Sequence, residues 1–162
     1  MNLIVAVDQN WAIGKNDNQP IYLHADLKRF KSLTIGHPII LGRKTLATFP
    51  GGQALNGRRN LVLSRNPDFT REGVEVFADL DSLLEEAPED SFVVGGASVY
   101  AALLNQCDTA YVTKIDLSFH MPDCFFTNLD KQLNWYIAEK GQELEECGVK
   151  FCHVIYKRQL KF

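Results

Sequence analysis

The chain has 162 residues, of which 46% are hydrophobic and 23% charged, and it carries a formal net charge of −3. This length and composition exclude collagen, a disordered polymer and a small disulfide-rich protein, and they predict a single folded domain over residues 1–162. The weakly acidic total does not favour nucleic acid or an anionic membrane as a partner, although residues 36–71 alone carry +5 against −8 elsewhere, a distribution suited to small anions with several charges.

Short apolar, β-branched runs bounded by Gly, Pro, Asn and Asp predict buried strands. They cover residues 3–7, 39–41, 60–63, 74–77, 92–94 and 109–115. Helical patterns lie between them at residues 25–33, just after Arg43, at residues 80–86 and at residues 97–104. This alternation predicts an α/β fold with a mixed, mostly parallel central sheet flanked by helices. Residues 135–140 and 150–157 flank a Glu-rich stretch with a glycine, which predicts a C-terminal antiparallel hairpin at one edge.

Three predicted strands end in residues that suit anions. A Gly-Gly pair joins one strand to a helix, where glycine lets the backbone approach a ligand and free amides attract phosphate. Because ligands collect at the carboxyl ends of strands in an open α/β sheet, these residues are expected around one crevice. They are Arg43, Lys44, Thr45, Ser64, Arg65, Gly95, Gly96, Ala97 and Ser98. Each alone is equally well explained as a solvated loop residue, but together they favour an extended anion such as a dinucleotide. The dinucleotide fingerprint GxGxxG is absent.

Asp26 lies at the start of a predicted helix, next to the apolar Leu27 and Phe30. An acid in a first helical turn is commonly explained by the helix dipole alone. A carboxylate beside large apolar side chains is costly unless it hydrogen-bonds a partner, and a flat heterocycle with adjacent N–H donors would be one. Asp26 is therefore a candidate site residue, with the helix-dipole explanation left open.

The polar segment GKNDNQP, residues 14–20, is bounded by Gly and Pro. A loop of this kind beside a site often serves as a lid, and a plain turn is the alternative. The run before it, residues 3–7, is too short and wrongly flanked for a signal peptide or a membrane helix, so a cytoplasmic protein is expected.

The cysteines and histidines predict no metal site. Cysteine spacing matches neither C-x-x-C nor a metal pattern, so free thiols in a reducing compartment are expected. The cysteines are Cys107, Cys124, Cys147 and Cys152. The histidines also lack the spacing of a metal site or a Ser–His pair, and surface or capping roles are expected for them. The histidines are His24, His37, His120 and His153.

Several separate blocks follow one another in the order and spacing of one known family. They are IVAVDQNWAIG, PIYLHADLKRFK, GRKT with TFPG, LNGRRNLVLSR, VVGGASVY, YVTKI and DCFF, from about residue 3 to 130. Through them the chain closely resembles dihydrofolate reductase of the bacterial chromosomal type. The resemblance implies NADPH as cofactor and reduction of 7,8-dihydrofolate to tetrahydrofolate, by hydride transfer from nicotinamide to pterin C6 with protonation at N5. It further implies a place in one-carbon and thymidylate metabolism, a monomer, and antifolate inhibitors as ligands.

The resemblance gives roles to residues of the substrate site. Asp26 would bind the pterin 2-amino group and N3, orient the pterin and favour protonation at N5, with water delivering the proton. Thr113 would bond Asp26 and, through water, the pterin. Arg58 would bind the α-carboxylate of the folate glutamate. The walls of the pocket would be formed by Ile4, Val5, Ala6, Leu27, Phe30, Phe49, Leu55, Val94 and Tyr100.

The resemblance also implies a cofactor site. Ala6 and Ile13 would bind the nicotinamide carboxamide through backbone groups. The pyrophosphate would be held by Gly95, Gly96, Ala97 and Ser98 with Lys44 and Thr45. Arg43, Ser64 and Arg65 would lie at the 2′-phosphate and select NADPH over NADH. The full cofactor set is Ala6, Ile13, Gly14, Arg43, Lys44, Thr45, Ser64, Arg65, Gly95, Gly96, Ala97, Ser98 and Val99.

Five positions depart from the family pattern. Ile21 stands where tryptophan is usual, which bears on the proton-delivering water and on lid closure. The other four are Gln19 in place of leucine, His24 in place of proline, Ala97 in place of a third glycine and Cys124 in place of threonine. These replacements predict an active enzyme with altered kinetics or inhibitor response.

Two other functions compete with this one. A reductase of the same fold from the riboflavin pathway would act on a ribosylamino-pyrimidine, but Asp26 and Arg58 at the family positions speak against it. A non-catalytic NADPH-binding module would bind the cofactor without turnover, but the sequence offers no added partner surface or extra domain to support it.

Overall fold

Eleven strands and four α-helices make up the described part of the chain, residues 1–15 and 18–159, in this computed structural model. The strands are β1 (Asn2–Val7), β2 (Ala12–Gly14), β3 (Ile39–Gly42), β4 (Asn60–Leu63), β5 (Val74–Phe77), β6 (Phe92–Gly95), β7 (Thr109–Ile115), β8 (Cys124–Phe125), β9 (Trp135–Lys140), β10 (Leu144–Glu146) and β11 (Val149–Arg158). The helices are α1 (His24–Thr34), α2 (Arg43–Ala47), α3 (Leu80–Glu86) and α4 (Ala97–Leu103). None of these helices is long and apolar enough to cross a membrane.

The main sheet has the strand order β10-β11-β7-β1-β6-β3-β4-β5, with β9 also paired to β11. The strands from β7 to β5 in this order pair in parallel. Strand β11 is antiparallel to β7, β9 and β10. The predicted fold, a mostly parallel sheet with a C-terminal antiparallel hairpin, is confirmed. Strand β1 lies between β6 and β7, and its Ala6 is opposite Thr113 of β7.

The C-terminal region contains one more strand than predicted. The Glu-rich stretch forms β10, which pairs with the first part of β11, while β9 pairs with the rest of β11. Cys147 and Gly148 join β10 to β11 with φ values of 52° and 77°. Positive φ at both residues of a two-residue turn matches the twist of the flanking strands. Strands β2 and β8 form a second, two-stranded antiparallel sheet that the sequence pattern does not predict.

Side chains alternate across the main sheet and are buried on both of its faces. Leu3 and Val7 of β1 are fully buried in a cluster that includes Leu103 of α4. Ile4, between them, packs on a different cluster that includes Leu46 of α2. Alternate side chains of β1 therefore pack into apolar clusters on opposite faces of the sheet, as expected for a strand covered on both sides.

The cysteines are free thiols. Cys107 is fully buried, and desolvation by burial raises its thiol pKa to about 11. A buried thiol of this kind is a packing group with little thiolate at neutral pH.

Candidate active site

A cavity of about 580 Å³ lies beside β1 and α1, at the carboxyl ends of β3 and β6. Every residue predicted for the substrate site lines it. These residues are Ile4, Val5, Ala6, Asp26, Leu27, Phe30, Phe49, Leu55, Arg58, Val94, Tyr100 and Thr113. They come from five segments of the sequence, residues 4–6, 26–30, 49–58, 94–100 and 113, so the cavity is a product of the sheet order and not of any one motif.

The predicted cofactor residues divide into two groups. One group lines the same cavity: Ala6, Ile13, Gly14, Thr45, Gly95, Gly96 and Ala97. The other group lies outside its lining: Arg43, Lys44, Ser64, Arg65, Ser98 and Val99. The charged members of the second group are exposed where β3 and the neighbouring β4 end. Val99 is 3% exposed and packs in the core, so its side chain is not available to a cofactor.

Asp26 is the only carboxylate among the described residues that line the cavity. It lies in the first turn of α1, and its side chain is 19% exposed. Thr113 of β7 donates from Oγ1 to Asp26 Oδ1 at 2.5 Å. Desolvation raises the pKa of Asp26, the Thr113 hydrogen bond and the charge of Arg29 oppose the rise, and the charge of Glu146 adds to it.

Glu146 of β10 holds the start of helix α1. The residue at the N-cap, Leu23, has no side chain that could accept a hydrogen bond, although the first helical N–H groups need acceptors. The Glu146 carboxylate accepts from the backbone N–H of Ala25 at 3.0 Å and of His24 at 2.5 Å. These two bonds lower the pKa of Glu146. A proline at position 24 would lack the N–H, so His24 is what makes the second bond possible.

Arg58 is oriented at the cavity by two hydrogen bonds to the protein. Its Nη1 donates to Thr34 Oγ1 at 2.9 Å, and its Nε donates to the Asn56 carbonyl at 3.1 Å. A guanidinium has five N–H donors, so three are left for a ligand. A planar cation with free donors in fixed geometry is suited to a carboxylate.

The glycines at the end of β6 leave a narrow space that a side chain would fill. A Cβ at Gly96 would lie 3.2 Å from Thr45 Oγ1, and Gly95 has a φ of +127° that L side chains rarely adopt. The Gly95–Gly96 peptide is cis. Backbone groups thus come close to the cavity next to a hydroxyl, with the exposed Arg43 and Arg65 on neighbouring strand ends. Uncharged backbone, a hydroxyl and two cations fit the phosphates of a dinucleotide.

Several lining residues are missing from the predicted set. They are Asn18, Gln19, Tyr22, Lys31, Thr48, Pro50 and Cys124. Tyr22 is 51% exposed and lines the cavity, whereas Ile21 packs away from it against a cluster that contains Phe119. An aromatic residue four positions before Asp26, just before helix α1, is the sequence signal that could have identified Tyr22.

The described residues of the predicted lid, 14, 15 and 18–20, lie at or next to the cavity. Gly14, Asn18 and Gln19 are lining residues, and the backbones of Lys15 and Asn18 hydrogen-bond each other in both directions. The Gln19 side chain donates to the Ile21 carbonyl at 2.7 Å. Two residues of the predicted lid, Asn16 and Asp17, lie outside the described residues.

His153 does not have the surface or capping role predicted for it. Its side chain is 16% exposed, and its Nδ1 lies 3.0 Å from Thr113 Oγ1. The other histidines are exposed or, for His37, paired at the surface with Asp90 at 2.8 Å. The prediction failed at His153 because its partner is set by strand register and not by spacing along the chain.

A family model described as dihydrofolate reductase matches residues 1–158. The chain belongs to the dihydrofolate reductase family. Dihydrofolate reductase type 3 of Salmonella typhimurium is 41% identical over 151 residues, which cover 90% of this chain and 85% of that protein. The dihydrofolate reductase of Bacillus subtilis (strain 168) is 35% identical over 163 residues, which cover 98% of this chain and 95% of that protein.

A solved dihydrofolate reductase has the same fold. The chain is similar to the Enterococcus faecalis enzyme complexed with NADP(H) and RAB-propyl, with a TM-score of 0.85 and 32% identity. The similarity covers 97% of this chain and 95% of that chain. Membership of the dihydrofolate reductase family confirms the resemblance seen in the sequence and makes the chain an NADPH-dependent oxidoreductase. The riboflavin-pathway reductase and the non-catalytic module are not favoured.

Proposed function

We propose that this protein reduces 7,8-dihydrofolate to 5,6,7,8-tetrahydrofolate and that Asp26 is its catalytic carboxylate. The observation that carries the proposal is one carboxylate, Asp26, in a cavity whose walls are otherwise mainly apolar. Arg58 is oriented at the same cavity by its hydrogen bond to Thr34. A pterin offers adjacent N–H donors to such a carboxylate, and folate adds a glutamate tail for an arginine. NADPH, when bound, supplies the hydride that reaches pterin C6.

Asp26 has two functions in this proposal. Its carboxylate accepts hydrogen bonds from the pterin 2-amino group and N3, which fixes the orientation of the ring. Its negative charge stabilises the positive charge that develops when N5 takes a proton from water. Thr113 keeps one carboxylate oxygen occupied at 2.5 Å, so the acid has a defined orientation before substrate binds.

The apolar walls bind the rest of the substrate and exclude water. Leu27 is 48% exposed although it is a large apolar residue, because it faces the cavity. Covering an exposed apolar group on a concave surface with a ligand is energetically favourable and strengthens binding. Phe30, Phe49 and Leu55 line the same wall and fit the aromatic benzoyl part of folate.

The cofactor would be held by the strand ends. The backbone of Gly95 and Gly96, together with Lys44 and Thr45, suits the pyrophosphate, and the backbone of Ala6 and Ile13 suits the nicotinamide carboxamide. The exposed cations Arg43 and Arg65, with Ser64, suit the 2′-phosphate that distinguishes NADPH from NADH.

A spectrophotometric assay tests the proposal. NADPH absorbance in the near ultraviolet should fall only when dihydrofolate is present, and a ribosylamino-pyrimidine should have no effect. Asp26→Asn should leave NADPH binding nearly intact and lower turnover near neutral pH by about 10²-fold or more. Near-normal turnover of Asp26→Asn would refute the role of Asp26. NADPH binding without turnover by the unmodified protein would favour the non-catalytic module.

We also propose that the protein is a cytoplasmic monomer that acts on small molecules, including antifolates, and not on nucleic acid or membranes. The cysteines are free thiols, which suit a reducing compartment. Light scattering after size exclusion should give a mass near the 18.3 kDa of one chain. A mass twice as large would contradict the monomer.

A further inference from the structure

His153 contacts the Asp26–Thr113 pair from the C-terminal strand. It lies on β11 directly opposite Thr113 of β7 in the antiparallel register. Directly opposite residues share one face of a sheet and have neighbouring side chains. His153 Nδ1 is 3.0 Å from Thr113 Oγ1 and 4.0 Å from Asp26 Oδ1, so the threonine hydroxyl mediates the contact with the acid.

The number of protons on the Thr113 hydroxyl determines which group donates the hydrogen bond between Thr113 and His153. The Thr113 hydroxyl has one proton, and with Asp26 ionised, as the proposed function requires, that proton is donated to Asp26 Oδ1. Towards His153 the hydroxyl can therefore only accept, which requires the imidazole to carry its proton on Nδ1. The chain then runs from His153 Nδ1–H to Thr113 Oγ1–H to Asp26 Oδ1.

The surroundings of His153 hold the ring in place as a neutral donor. Phe151 packs edge-on against it with ring centroids 5.7 Å apart, and the backbone N–H of Gly141 donates to the His153 carbonyl at 2.8 Å. Desolvation, together with the charge of Arg29, lowers the pKa of His153 to about 4. The imidazole is therefore uncharged at neutral pH, and its role does not depend on charge.

We propose that His153 is a positioning residue for Asp26, because its Nδ1–H commits the Thr113 hydroxyl proton to the carboxylate. The proposal rests on the function proposed above for Asp26. Without a donor at position 153, the threonine hydroxyl is free to rotate towards other acceptors, and it loses the polarisation that a hydrogen-bond chain provides. The carboxylate form of Asp26 then becomes less stable.

Other groups also act on Asp26 and must stay constant in a test. Arg29 faces it from its own helix, Glu146 from β10, and the buried phenol of Tyr100 from α4. Exchange of His153 for another neutral residue leaves the charges of Arg29 and Glu146, and the uncharged phenol of Tyr100, as they are. A change in Asp26 titration would then report the hydrogen-bond chain.

Asparagine and leucine at position 153 form a matched pair, since they have nearly the same shape and only asparagine has an N–H near the Nδ1 position. Titration of the Asp26 carboxyl by ¹³C NMR in the unliganded protein measures the effect, with Asp26→Asn to assign the signal. His153→Leu should raise the pKa of Asp26 by about half a unit, or about threefold in proton affinity. His153→Asn should restore most of the wild-type value. In a Thr113→Val background, His153→Leu should have no further effect.

Equal pKa values in wild type and His153→Leu, or equal shifts in the Leu and Asn variants, would overturn the proposal. The tautomer of His153 in the wild-type protein, read from long-range ¹H–¹⁵N correlations, is a check that needs no variant: a proton on Nε2 would also overturn it. The pH profile of kcat/KM should move in the same direction as the titration. The NMR measurements need no substrate, so a failure of dihydrofolate turnover would refute the proposed function separately.

Discussion

Replacement of Arg58 by lysine tests the proposed substrate from its glutamate end. Lysine keeps the positive charge but cannot bond Thr34 and Asn56 and still offer a planar pair of donors to a carboxylate. Arg58 has three N–H donors left after its two bonds to the protein, at 2.9 and 3.1 Å, enough for a two-pronged contact with the glutamate α-carboxylate. Arg58→Lys should therefore weaken dihydrofolate binding while the pterin end of the site stays intact.

The expected size follows from the loss of one charge-assisted hydrogen bond. Such bonds contribute about 1.5–3 kcal/mol, and the lower end applies because Arg58 is only partly buried. About 1.5 kcal/mol corresponds to roughly a tenfold rise in Kd for dihydrofolate.

Fluorescence titration with two ligands isolates this contact. Dihydropteroate has the pterin and benzoate but no glutamate, so its Kd should be the same for wild type and Arg58→Lys. NADPH binding should also be unchanged, which controls for folding. An equal loss for dihydrofolate and dihydropteroate would refute the assignment of Arg58 to the glutamate, as would no loss for either.

Three further predictions concern the cofactor site and the acid. Gly96→Ala places a Cβ 3.2 Å from Thr45 Oγ1 and should raise the Kd for NADPH by about tenfold or more in a fluorescence titration. An unchanged Kd would contradict a cofactor next to that glycine. Arg65→Gln should weaken NADPH about fivefold and leave NADH unchanged, and equal losses would remove Arg65 from the 2′-phosphate. Burial raises the pKa of Asp26 in the folded protein above its unfolded value of 3.8, so the ionised carboxylate destabilises the fold at pH values above the folded-state pKa. At pH values below 3.8 the carboxyl is protonated in both states and does not destabilise the fold. Asp26→Asn should therefore raise Tm at pH 7, and the gain should vanish as the pH falls towards 4; a gain independent of pH would contradict this explanation.

Much of the fold could be predicted because buried strands leave a strong local pattern. The boundaries of β4, β5 and β7 agree with the apolar runs at residues 60–63, 74–77 and 109–115. Parallel pairing then brings the glycine pair and Thr45 together at one edge, as the crevice hypothesis requires. The individual substrate-wall residues needed the family resemblance, because an apolar residue that lines a cavity has the same local pattern as one in the core.

The remaining features depend on contacts that no local pattern records. Strands β2 and β8 have three and two residues, too few for a period of two to be visible. Glu146 caps a helix that starts 122 residues before it, and His153 meets Thr113 only through the register of β7 and β11. Tyr22 lines the cavity and Ile21 packs against the cluster that contains Phe119, and the sequence alone does not show which of these two neighbours faces the site.

The two-residue turn at Cys147 and Gly148 connects strand β10, at the edge of the sheet, to the position of Asp26. No described residue of β9, β10 or β11 lines the cavity. Even so, Glu146, immediately before the turn, holds the helix that carries Asp26. A one-residue insertion in this turn would shift β10 against β11 and move Glu146 to the opposite face, since side chains alternate along a strand. Natural variation in hairpin length is thus a route by which enzymes of this family could change ligand response while every cavity residue stays the same.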